Sequence, residues 1–149
     1  MSVNIAEKFE LLFDKDNQAA YKALLELLNE SEETNCVYPF MDRLGDMLDS
    51  DNSYIRTRGL TLLAHNAKWD RDCKIDKIID KYLRHITDVK PITARQCIKL
   101  LPMIAMRKPE LRNAILCACH RADIGIYDVS MQPLIRKDIQ KALKEIQGL

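Results

Sequence analysis

The chain has 149 residues, 47% of them hydrophobic and 30% charged, with a formal net charge of +1. This is the balance of a soluble globular protein, and the length suffices for one domain with a continuous core. Aromatics at 6% and only four glycines argue against a sheet protein, and no apolar run approaches the roughly 18 residues that a membrane span needs.

Hydrophobic residues recur with the helical period along nearly the whole chain, which predicts eight helices. The first, over 2–13, aligns Ile5, Phe9 and Leu12. The second, over 17–30, aligns Ala20, Leu24, Leu27 and Leu28. The third, over 36–48, carries Phe40, Leu44, Met47 and Leu48, with Pro39 in a first turn where its missing N–H costs little. The fourth, over 53–67, carries Ile55, Leu62, Leu63 and Ala67. The fifth, over 72–86, aligns Ile75, Ile78, Ile79, Tyr82 and Ile86. The sixth, over 91–106, opens on Pro91, and its interior Pro102 predicts a kink near 99–101. The seventh, over 109–122, opens on Pro109. The eighth spans 131–147, with Pro133 in its first turn. Ser53 and Ser130 are read as N-caps. The breaks between helices are short and polar, so residues 1–149 are read as a single domain.

Charge is unevenly spread along the chain. Residues 1–51 hold twelve acids and four bases, net −8, and residues 52–149 hold nineteen bases and ten acids, net +9. Such a dipolar chain permits self-association between its acidic N-terminal and basic C-terminal parts. The N-terminus lacks the basic and apolar regions of a secretory signal. Five scattered cysteines, an odd number, point to reduced thiols and a cytoplasmic protein.

Self-similarity appears at a period of about 37. Asp51, Ile55 and Arg58 match Asp88, Ile92 and Arg95 at an offset of 37, and Leu60, Leu62 and Leu63 match Ile98, Leu100 and Leu101 at 38. Asp14 extends the series 14, 51, 88. Each even-numbered helix also carries a triplet at four-residue steps, often with a small middle residue: Ala19, Ala23, Leu27; Ile55, Gly59, Leu63; Thr93, Cys97, Leu101; Ile135, Ile139, Leu143. Small residues at such steps suit helices that stack in an array.

The segment MDRLGDMLDSDNSYIRTRGLTLLAHNAKW (41–69) resembles a HEAT repeat: a Leu-rich first helix, an Asp-containing turn, and an Ile–Arg pair opening the second helix. Residues 75–106 follow the same outline, and Ile135–Arg136 repeats the Ile–Arg pair. The resemblance implies an all-α solenoid of about four antiparallel HEAT-like helix pairs, with the second helix of each pair lining an inner surface. SYIRTRGLTLLAHNAKWD and KPITARQCIKLLPMIA also resemble small Firmicutes proteins that carry the label SufBD, which implies an accessory role in redox or iron–sulfur assembly.

Few residues suggest chemistry. Cys117 and Cys119, followed by His120, stand two apart in a helix, about 200° around its axis, and so point to different faces. They read as packing residues rather than metal ligands. His65, His85 and His120 have no neighbouring nucleophile. Asp76 and Asp80, with Lys77, Lys81 and Arg84, read as a solvated ion-pair face. There is no Gly-rich phosphate loop and no hydrolase or zinc-protease motif, so neither an enzyme nor a bound cofactor or metal is expected. Trp69 reads as a packing residue between repeats or an interface anchor. Arg56, Arg58, Arg95, Lys99 and Arg136 fall on second helices, which the resemblance places on the inner surface, with Arg56 also suited to bracing a turn through Asp49 or Asp51. With Trp69 they form the expected interaction surface. The expected function is a non-catalytic scaffold that binds a protein or acidic peptide. The alternative is binding of a nucleic-acid backbone by the basic second helices of 52–149.

Overall fold

The computed structural model describes residues 4–149. Among them there are eight α-helices and no strand. The helices are α1 (Ile5–Leu11), α2 (Asn17–Glu33), α3 (Met41–Met47), α4 (Ser53–His65), α5 (Lys74–Leu83), α6 (Pro91–Arg107), α7 (Arg112–Arg121) and α8 (Gln132–Gln147). Short 3₁₀ turns precede α3 and α7 and follow α4 and α5, which is why the sequence periodicity runs past the α-helical bounds there. The first residues of the segment expected at 2–13 lie outside the described residues.

Local chemistry sets the helix starts. The side chains of Asn4, Asp16 and Asn52 accept hydrogen bonds from the backbone N–H groups of Glu7, Gln18 and Tyr54. The cap of α4 is thus Asn52 and not Ser53, which is already the first helical residue. Ser130 does not cap α8 either, since its hydroxyl bonds Asp128 and the helix begins at Gln132. The start of α5 is capped from a distance: Cys73 stands in the left-handed region at φ 54°, and the Asp70 carboxylate accepts from the N–H groups of Lys74 and Ile75. Helix α6 runs unbroken through Pro102.

Helices adjacent in sequence pack as α1 on α2, α3 on α4 and α7 on α8, while α6 packs on the Arg84–Thr87 turn that follows α5. The even-numbered helices then pack in succession, α2 on α4, α4 on α6 and α6 on α8. Their buried side chains join one apolar cluster that extends from Phe9 to Ile146. Burying each large aliphatic side chain in it contributes about 1.5–3 kcal/mol. Gly59 marks a close approach between helices: a Cβ there would lie 3.0 Å from the Cβ of Met47 and 3.1 Å from the carbonyl of Leu44. The small middle residue of that triplet therefore admits α3, the partner within its own pair. All five thiols are free. Cys97 and Cys119 are buried, Cys73 and Cys117 exposed, and Cys36 half-buried.

Candidate interaction surface

Two of the six expected surface residues belong to the interior. Arg56 is 7% exposed and Arg58 6%. The Arg56 guanidinium donates to both oxygens of Asp88, at 2.9 and 2.7 Å, and to the carbonyl of Ser50. Its acid is thus neither Asp49, which pairs with Lys81, nor Asp51. Asp88 also contacts His85 Nδ1 at 2.7 Å and accepts from the N–H of Lys90. An ionised carboxylate only accepts, so the Nδ1 of His85 carries the proton. Burial disfavours the charged form of Asp88, but these hydrogen bonds outweigh it and hold the carboxyl well below its ordinary value. Arg58 turns the other way, donating to the carbonyl of Leu12 at 2.8 Å and to Asn17, so it braces the loop between α1 and α2. Both arginines are pins between helix pairs.

Trp69 is half-buried. Its indole N–H donates to the carbonyl of Ser31 at 2.8 Å, and the Lys68 ammonium lies 5.4 Å from the ring centroid. The indole thus ties the turn after α4 to the last turns of α2. Arg95 binds Asp138 of α8 at 2.6 Å. Lys99, one turn further on α6, is exposed. Arg136 is exposed too, but two residues before Asp138 on a helix place it about 160° away, off the side that faces α6. Of the six, Arg95 and Lys99, one turn apart on α6, alone share a helix side.

Two grooves flank the C-terminal half of α6. One, about 240 Å³, lies between α6 and α8 and is lined by Lys99, Pro102, Asp138, Lys141, Ala142 and Glu145. The other, about 150 Å³, lies between α4 and α6, with Ala64, His65, Lys68, Met103 and Met106 in its walls. Glu32 of α2 reaches this groove, where it lies 3.6 Å from Lys68 and 3.8 Å from His65. Burial lowers the pKa of His65, with Glu32 opposing the shift. Met106 is 49% exposed. The methionines, with Arg107 and Lys141, escape a sequence reading centred on arginines at helix starts. Their signal is the same stripe continued to the helix end, at Lys99, Met103 and Met106.

The expected solvated face of α5 is only partly that. Asp76 turns to Lys108, whose ammonium is 2.7 Å away. Lys108 is 4% exposed and also reaches Asp70 at 3.2 Å and Glu110 at 3.3 Å. Burial works against its charge, yet the three carboxylates keep its pKa above the usual lysine value. Nothing in the sequence marks Lys108 beyond its place before Pro109. Cys73, Asp76 and Glu110 bring donor atoms within 4.8 Å of one another, the one group of potential metal ligands among the described residues. Lys108 already supplies a cation to its carboxylates. Cys117 and Cys119 point to different faces, as their spacing predicts, one exposed and one buried.

No family model, curated protein or solved structure matches the chain. No helix of the described residues is long and apolar enough to cross a membrane.

Proposed function

We propose that the chain is a non-catalytic protein-interaction module, a HEAT-like solenoid of four helix pairs that presents its even-numbered helices to a partner protein. The observation that carries this reading is the succession α2, α4, α6, α8. Each helix buries one side on its neighbours, and the side left open forms a surface wider than any single pair supplies. Grooves between adjacent helices of this row give the surface relief. The reading is tested with a photo-crosslinking amino acid placed at Lys99, on the open side of α6, or at Lys77, on the exposed side of α5. Partner protein trapped from native extract through position 99 and not through 77 is the expected result. A chain that traps no protein through position 99 would sink the proposal.

A second reading, binding of a nucleic-acid backbone, draws support from α8, where Arg136, Lys137, Lys141 and Lys144 are all exposed. It loses Arg56 and Arg58, whose guanidinium groups are committed to internal acceptors. Retarded migration of duplex DNA that weakens steeply with salt would favour it over the first.

A further inference from the structure

Resting on the interaction reading above, we infer that the C-terminal half of α6, with the groove on either side of it, docks an acidic segment of a partner protein that carries an apolar side chain among its carboxylates.

The charge on this face is the first argument. Its acids are largely engaged: Asp138 by Arg95 at 2.6 Å, and Glu32 by Lys68 at 3.6 Å. Lys99, Arg107 and Lys141 are exposed and have no ion-pair partner among the described residues, against Glu145 as the one acid left free. Three unmatched bases to one unmatched acid leave a local positive excess that the net charge of +1 conceals. Carboxylates brought to this ridge gain partners without displacing an existing pair.

The apolar part of the face is the second argument. Pro102, Met103 and Met106 form the ridge between the unmatched bases, with Ala64 across the smaller groove and Ala142 across the larger. Methionine has an unbranched, polarisable side chain that conforms to whatever apolar group is laid against it. A phosphate backbone has no use for such a strip, and the ridge offers no aromatic ring on which a base could stack. A peptide with aliphatic and acidic side chains uses both elements of the site.

The probe is a fluorescein-labelled peptide rich in Glu with a central Leu, titrated against the full chain at low salt and followed by anisotropy. Saturable binding is expected, weakened about tenfold or more by Lys99→Glu with Lys141→Glu, which removes two favourable pairs and adds two repulsive ones. Arg84→Glu, on the turn after α5 and in the lining of neither groove, is expected to leave binding unchanged. Replacing the peptide's Leu by Ser, or Met103 and Met106 by Ser, is expected to weaken binding at unchanged charge. Circular dichroism confirms that these variants fold. Binding that ignores Lys99→Glu with Lys141→Glu, or that is indifferent to the Leu, overturns the assignment. So does oligothymidylate binding through Lys99 and Lys141 more tightly than the peptide. A partner protein whose crosslinking at position 99 is undiminished by an excess of the peptide would overturn the acidic-segment assignment alone. A chain that neither crosslinks a protein nor binds the peptide loses both readings.

Discussion

Asp88 holds four groups at once: the guanidinium of Arg56, the imidazole of His85, the N–H of Lys90 through its carboxylate, and the hydroxyl of Tyr127 through its own carbonyl. Asp88→Asn would leave the Arg56 charge buried without its counter-ion, and a loss of about 3–5 kcal/mol is expected in urea melts. The acid dependence follows from the depressed carboxyl. The unfolded chain takes up the proton near the ordinary value of 3.8 and the folded chain only at lower pH. The stabilisation is therefore complete above about pH 5 and drains away as pH falls below the ordinary carboxylate range. The Asn variant should show a shallower acid limb, and an unchanged limb would count against this role. Gly59→Ala is expected to cost about 1–3 kcal/mol, because the added methyl meets Met47 and the Leu44 carbonyl before either can retreat. The series 14, 51, 88 marked Asp88 in the sequence as a turn residue, but not as the acid for Arg56. Neighbours in the chain, Asp49 and Asp51, were the natural partners to expect. Only the folded path brings a residue 32 positions away within 2.7 Å.

At the scale of helices, the odd-numbered members are laced by ion pairs between neighbours. Glu10 of α1 meets Arg43 of α3, Asp42 of α3 meets Lys74 of α5, and Asp49, just past α3, meets Lys81 of α5. All three are solvent-facing on at least one side, so each is worth at most about 1 kcal/mol. A double-mutant cycle on Asp42 and Lys74 is expected to give a coupling below that figure, falling further as salt is added, and a larger coupling would mean the pair is better shielded than its exposure implies. The helices themselves were legible because the periodicity is strong, helped by side-chain caps at α1, α2 and α4 and by first-turn prolines at α6 and α8. The one-residue error at α4 arises where Asn52 and Ser53, both good caps, stand side by side. What could not be read was which face of each second helix points inward. Arg58 and Arg95 occupy matching repeat positions, yet one bends back to the α1–α2 loop and the other forward to α8.

Across the whole molecule, the −8 and +9 halves are not simply two poles awaiting a partner. The pairs Asp42–Lys74, Asp49–Lys81 and Glu32–Lys68 all bridge the divide, so part of the imbalance is spent inside the fold. A charge count along the chain cannot distinguish that use from an external one, and the positive excess left on the α6 ridge emerges only after the internal pairs are subtracted. The burial of the thiols has a consequence of another kind, for the kinetics of opening. Cys97 sits on α6, with α4 on one side and α8 on the other, whereas Cys119 sits on α7, near the end of the stack. Burial pushes both thiols up, Cys119 to about 11, so neither reacts while enclosed. With a thiol reagent, Cys73 and Cys117 should label at once. Cys119 should follow at the rate at which the last helix pair detaches, and Cys97 later still, when the middle of the stack comes apart. Peptide mass spectrometry of timed samples would resolve the two. Equal rates for Cys97 and Cys119 would mean the chain opens all at once rather than unzipping from its end.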